Sequence, residues 1–272
     1  MIELNVVQPR TYRPDKWWVE PMSMALYFVF FTIYVIYVTL VAPLEDSIQE
    51  WKTSEAGVNY ISPFFSPDLK HFFGIDTPIL HIPGIGDWKL SPALLIIWAP
   101  LGFRATCYYG RKVIYRSFFW SPPACAVDGF KMRQGKYKGD GPGIFFIVHL
   151  HRYFFYLAFI LAVFHWIDTV FAMQFRAADG SMAWGIGLGT ILSAFDALFL
   201  TLYVISCHSF RHLMGGGANT PGTFRYWLWS KISKLNRFHG LWFWLSLFMI
   251  VIVDVYFRLV AMGIVTEMRW LF

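Results

Sequence analysis

The chain has 272 residues, of which 57% are hydrophobic, 20% aromatic and only 15% charged, with a formal net charge of +6. An average soluble domain carries about 25% charge, and a soluble chain of this length could not hide so much apolar surface, whereas a bilayer can. Disorder, a disulfide scaffold and a nucleic-acid module are thereby excluded, and the positive balance is read as a topology signal.

Five hydrophobic runs reach spanning length: 24–41, 90–110, 144–173, 187–210 and 238–262. Crossing takes about 20 apolar residues as helix, because a helix satisfies its own backbone inside lipid. The expected fold class is therefore all-α, a single domain over 1–272 built as an integral membrane bundle of five transmembrane helices. The first run is a stiff Val/Ile/Tyr/Phe stretch preceded by Trp17 and Trp18, a pair suited to the interface. It is too long for the core of a cleavable signal peptide, and none is expected. The loop after it, 44–89, holds Lys52, Lys70 and Lys89 against seven acids, and four prolines. It is expected to cap the outer face. The second run is expected to continue as helix through Arg111–Phe119, since no breaker precedes Ser121-Pro122-Pro123. That basic extension would suit docking of a soluble partner or a snorkelling interfacial stretch.

The loops 111–143 and 211–237 and the N-terminal arm together carry fifteen Lys and Arg, against five in the remaining extramembrane segments. The positive-inside rule then places the N-terminus in the cytoplasm and the C-terminus outside. Gly215-Gly216-Gly217 reads as a turn and not as a phosphate loop, because no Lys-Ser/Thr follows it.

On this topology the thiols and imidazoles fall at one depth. Cys107 lies near the cytoplasmic end of the second span, and His149 and His151 open the third. Cys207, His208 and His212 close the fourth, His239 opens the fifth, and Cys125 sits in the inner loop. A lone cysteine in a membrane helix is most often a small apolar filler, and a lone histidine a packing residue. Four helices contributing such groups at matched depth changes the weighting, because ionisable groups inside a bilayer are costly and usually functional. The expectation is a redox centre in the bundle core.

Two centres fit the residue types. A bis-His haem b would pair His151 with His212 or His239. A second haem is disfavoured, because His165, fourteen residues after His151 on the same face, has no histidine opposite it. Alternatively, two thiolates and two imidazoles would hold a Rieske-type [2Fe–2S] cluster. Such clusters span about −150 to +300 mV, against about −400 mV for all-cysteine plant-type clusters, so imidazole ligation suits delivery of electrons to a quinone. A structural zinc site is hard to motivate inside lipid, and a disulfide is not expected in a reducing cytoplasm.

Five stretches then carry a resemblance: Arg104–Lys112 (RATCYYGRK), Pro122–Val127 (PPACAV), His151–Tyr156 (HRYFFY), Ser206–His212 (SCHSFRH) and Leu235–His239 (LNRFH). Together they make the sequence resemble the actinobacterial succinate dehydrogenase membrane-anchor subunit. This is a single-chain, five-helix type similar to the cytochrome b subunit of fumarate reductases. The resemblance covers most of the chain from the second span onward. It implies a respiratory complex II in the plasma membrane, with flavoprotein and iron–sulfur subunits as partners; the oligomeric state is left open, a higher oligomer of the complex being one outcome. Menaquinone would be the substrate. Five-helix anchors of the fumarate reductase type bind two b haems through His pairs, and this sequence departs from that pattern. One ligand per helix gives Cys107, His151, Cys207 and His239 as first choice, with Cys125, His212 and His208 in reserve.

This chain would break no succinate bond itself. Quinone reduction takes up two protons, and Tyr108, Arg152, Tyr153, Arg211 and Trp242 have the chemistry and depth to line the pocket, although aromatic and Arg residues crowd interfaces in any case. Asp168, Asp196 and Asp254 lie deeper. They either line a proton path or a second quinone site, or are paired with Arg258 or Tyr hydroxyls. A small proton-coupled transporter is the competing class, but it lacks the internal repeat and broken helices such proteins show and leaves the Cys/His convergence without a purpose.

Overall fold

The computed structural model describes residues 15–41, 57–84, 86–120, 124–125, 127, 142–177, 180–215 and 220–272. Pro122, Pro123, the basic stretch Lys131–Lys138, Gly216, Gly217 and the first part of the 44–89 cap lie outside them.

Among the described residues, four helices are long and apolar enough to cross a membrane: α1 (Val19–Ile36, continued by a π-turn Tyr37–Val41), α6 (Pro142–Phe171), α7 (Leu188–Ile205) and α10 (His239–Ala261). Their outward faces are apolar, as with Leu26 and Ile33 on α1, Ile160 on α6 and Ile252 on α10. That is the pattern of helices solvated by lipid rather than water. α10 is the most enclosed and packs along α7, which in turn packs along α6.

The second expected span differs from the expectation. Instead of one helix over 90–110, the chain forms α3 (Pro92–Ile96) and α4 (Trp98–Thr106), breaks at Cys107, and starts again as α5 (Tyr108–Phe119). Together α3 and α4 reach about 22 Å at 1.5 Å per residue, short of the ~30 Å hydrocarbon core. Cys107 has extended backbone (φ −63°, ψ 130°), so α5 does not extend α4. It packs against α1 instead, where Arg116 meets Glu20 in a two-pronged ion pair (2.6 and 3.2 Å). No proline or glycine occupies the break itself; the fold of the chain makes it. Gly110 permits it, since a Cβ there would come within 2.5 Å of the Arg104 carbonyl oxygen. The fourth expected span, 187–210, is likewise divided: α7 stops at Ile205, and α8 (His208–Gly215) starts after Ser206-Cys207. α9 (Phe224–Asn236) then packs against α8 before α10 begins.

The opposite end adds strands to an architecture expected to be wholly helical. β1 (Ile79–Ile82) and β2 (Gly86–Lys89) form a hairpin. β3 (Gln174–Arg176), β4 (Met182–Gly187) and β5 (Arg269–Leu271) form an antiparallel sheet in the order β3-β4-β5. Pairing Phe175 with Ala183 and Ile186 with Trp270 ties the α6–α7 connection to the C-terminal segment. Val58 bridges to Phe175, and Tyr60 stacks on Phe257 at 4.4 Å. So the described part of the cap is an ordered lid on this end of the bundle. It begins with Gly57 and includes a short helix, α2 (Leu69–Phe73).

Beneath that lid, Asp254 of α10 is fully buried. It accepts hydrogen bonds from the hydroxyls of Tyr34 and Ser62 and from Arg258 Nε at 2.7 Å. A buried carboxylate is tolerated only with such partners. They join α1, the cap and α10.

Candidate metal centre

At the end of the bundle away from the sheet, α4 and α7 both finish at the same level. Each leads into a hydroxyl residue followed by a cysteine: Thr106-Cys107 and Ser206-Cys207. Here four buried side chains meet as two pairs. His151 Nε2 lies 3.0 Å from Cys207 Sγ, and His239 Nε2 lies 3.4 Å from Cys107 Sγ. Exposure is 1–3% for the cysteines and 9% for the histidines.

The bracing is crossed. His151, which faces Cys207, is held at Nδ1 by Thr106 Oγ1 (3.0 Å), the neighbour of the other cysteine. His239, which faces Cys107, is held at Nδ1 by Ser206 Oγ (2.8 Å). Each hydroxyl has one proton, and it is already committed. Thr106 donates to the Gly102 carbonyl at 2.7 Å, and Ser206 to the Tyr203 carbonyl at 3.1 Å. With those protons so placed, the hydroxyl oxygens accept from Nδ1–H, and each Nε2 is the ring atom that meets a thiol. Second-shell acceptors orient metal-bound histidines in this way.

The surroundings are aromatic and cationic. Phe103 stacks on His151 (centroids 4.9 Å apart, planes 4° apart), and Tyr203 on His239 (4.9 Å). Arg104 is anchored to the Phe243 carbonyl (3.1 Å) and Ser246 Oγ (2.9 Å), with its guanidinium 4.6 Å over the Tyr203 ring. The Ser209 amide points at Cys207 Sγ at 3.4 Å. A fixed cation and an N–H···S contact both favour added negative charge, as on a centre that is being reduced.

Residues 20–263 match the family described as actinobacterial succinate dehydrogenase subunit SdhC. The chain belongs to this family. A solved structure of the Mycobacterium smegmatis Sdh1 complex in the apo form contains a similar chain: 31% identity, a TM-score of 0.72, and coverage of 97% of this chain and 95% of that one. No curated protein sequence matches.

Within this SdhC-family anchor, the structure brings together Cys107, His151, Cys207 and His239, and separates the reserves from them. Cys125, His208 and His212 are exposed, and His212 Nδ1 sits 3.4 Å from Arg152. Among the described residues no group of three or more His, Cys, Asp or Glu closes to the spacing of a single ion; the donors come as pairs. The five expected quinone-pocket residues stand in differing surroundings. Tyr108 and Tyr153 are 76% and 67% exposed. Arg211 is bonded to Ser233 at 2.9 Å and lies over Trp229, while Trp242 stacks on Phe199. Sequence reasoning missed Thr106, Ser206 and Arg104. The repeated hydroxyl–cysteine step is the signal that could have found the first two.

Deeper along α6, His165 Nδ1 meets Asp196 Oδ2 of α7 at 2.8 Å, both groups buried. The residue opposite His165 is thus a carboxylate and not a second imidazole.

Proposed function

We propose that this membrane-anchor subunit holds a Rieske-type [2Fe–2S] cluster through Cys107, Cys207, His151 and His239. In this reading it relays electrons from the iron–sulfur subunit of succinate dehydrogenase to a quinone. The observation that carries the reading is the meeting of two buried thiols with two buried imidazoles, each Nε2 within 3.0–3.4 Å of a sulfur and each Nδ1 braced by a hydroxyl. Two sulfur and two neutral nitrogen donors, one from each of four segments, suit that cluster by donor chemistry. When bound, the cluster supplies one-electron transfer in the potential range a quinone requires.

The chain's own residues do the rest. Thr106 and Ser206 hold the rings, Arg104 offsets added negative charge, and Phe103 and Tyr203 exclude water from the two imidazoles. The quartet end faces the cytoplasm, because the Lys- and Arg-rich loops lie on that side. There the exposed faces of α5 and α9 would meet the iron–sulfur subunit, with the flavoprotein subunit beyond it, in the plasma membrane. Menaquinone is the quinone this family implies. A single haem b is the alternative, and it is less well supported because a sulfur stands at each Nε2.

The test is a double variant, His151→Ala with His239→Ala, in the whole complex. Quinone reduction is expected to be lost while succinate oxidation by a soluble dye continues. Alongside, the wild type is expected to hold about two iron and two acid-labile sulfide more than the double variant, without an intense Soret band. Full quinone reductase activity in the double variant would remove both histidines from the ligand set.

A further inference from the structure

The sheet at the far end of the bundle is apolar on both of its faces. Antiparallel partners stand on the same side of a sheet, so the register sorts the side chains. Phe175, Ala183, Gly185 and Gly187 share the inward face. Phe175 is fully buried there, in one apolar cluster with Tyr60 and Phe257, and a Cβ on Gly187 would collide with the Glu267 carboxylate. The other face carries Gln174 and Arg176 on β3, Met182, Trp184 and Ile186 on β4, and Trp270 on β5, with Phe272 two residues further on. Its β3 edge is roofed. Gln174, Arg176 and Met182 line a cavity of about 300 Å³ together with His71 of α2 and with Asp168 and Phe171 of α6. Past Met182 this face is bare: Trp184, Ile186, Trp270 and Phe272 are 39–77% exposed. An antiparallel sheet with one face in water alternates apolar with polar. A contiguous patch of large apolar side chains marks a contact surface instead.

What it touches follows from depth. α7 has 18 residues, about 27 Å of helix, against a hydrocarbon core of ~30 Å. The helix is no longer than the core is thick, so its first residue, Leu188, lies at the boundary. β4 runs into it directly at Gly187, which sets Ile186 and Trp184 beside that boundary. Trp is the side chain suited to this level, with an apolar ring and a donor N–H. Along α7, Ile191, Phe195 and Leu198 form an exposed apolar ridge that leads up to the strand.

We propose that the bare half of this face is a phospholipid-binding surface, lying in the glycerol and upper acyl region of the leaflet at the sheet end, which is the outer leaflet in the orientation given above. The sheet is then clasped, with the lid and α10 on one side and lipid on the other. Lipid is the occupant because the patch continues the lipid-solvated ridge of α7, and because its exposed side chains are the interfacial and hydrocarbon types, with the polar residues of the same face gathered at the cavity. The strands thereby act as a second, shallow membrane attachment beside the spanning helices.

The test uses the whole complex in vesicles of phosphatidylethanolamine and phosphatidylglycerol. Benzoylphenylalanine, which inserts on irradiation into a neighbouring C–H bond, replaces Trp184, Ile186 or Trp270 in turn. Phospholipid adducts are expected at all three positions, and none at Leu271, the next residue along β5 and on the opposite face. Crosslinks to a second copy of this chain or to another subunit in place of lipid overturn the proposal, as does the absence of any lipid adduct. Trp270→Phe gives a second measurement with little disturbance of the fold. The emission lost with that substitution is expected to be quenched more by lipids brominated near the glycerol than by lipids brominated near the chain ends. Emission that neither lipid quenches, and that iodide in the water reaches as it reaches free tryptophan, overturns the proposal too.

Discussion

The two ends of the bundle treat their buried ionisable groups in opposite ways. At the sheet end a carboxylate is enclosed by donors from several elements. Asp254 receives Tyr34, Ser62 and Arg258, and Glu267 receives Tyr256 (2.7 Å) and the Gly189 amide (3.1 Å). At the quartet end, two hydroxyl oxygens brace the imidazoles at Nδ1 and turn each Nε2 toward a buried thiol. The first arrangement closes its valences and holds helices together. The second sets sulfur against nitrogen, the donor types of the cluster proposed above. Burial alone therefore does not mark a candidate site; the kinds of groups that face one another do.

The sharpest way to break this contrast is to exchange the losses. Cys207→Ala should lower the acid-labile sulfide of the complex by about two per anchor, the content of one [2Fe–2S] cluster, leaving that of the iron–sulfur subunit, while the helical bundle stays folded. Asp254→Asn should do the reverse: iron and sulfide are retained, but Arg258 is left with weakened compensation. Breaking such a buried pair costs about 3–5 kcal/mol, which thermal unfolding in detergent would read as a lowered midpoint. If Asp254→Asn lost iron first, the two ends would not be separable. A smaller effect is expected from Thr106→Val and Ser206→Ala, which free the Nδ1 atoms. Loss of an outer-shell partner costs about 10–100-fold in metal affinity, measured as faster loss of iron to a chelator, with a changed paramagnetic signal. The smallest effect is assigned to Cys125→Ser, which should match wild type in iron content and in quinone reduction.

Much of this was legible in the sequence, because helical register converts position into depth. The four buried members of the quartet fall at one level once the spans are drawn, and the pairing of Asp254 with Arg258 and a Tyr hydroxyl follows from their shared depth. The helix breaks were not legible. Nothing at residues 106–107 or 206–207 discourages helix, and the interruptions follow from tertiary contacts such as the Arg104 anchor on α10 and the close approach at Gly110. The strands of the sheet end were hidden for a related reason. They are short, and only their pairing with the distant C-terminal segment defines them. The expected quinone residues were chosen by depth and residue type alone. Tyr108 and Tyr153 are both exposed in the isolated chain, which neither depth nor residue type could foretell.

Crossed bracing ties the fate of each half of the centre to the other. Moving the chain by a single residue at Thr106-Cys107 would unseat one imidazole's anchor and remove the other's sulfur in the same stroke, and a slip at Ser206-Cys207 would do likewise. An ancestor with only one hydroxyl–cysteine step would have had one ring held in place with nothing to face, and one sulfur facing a ring that nothing held. The arrangement works as a complete set, so drift at either step is felt on both sides at once.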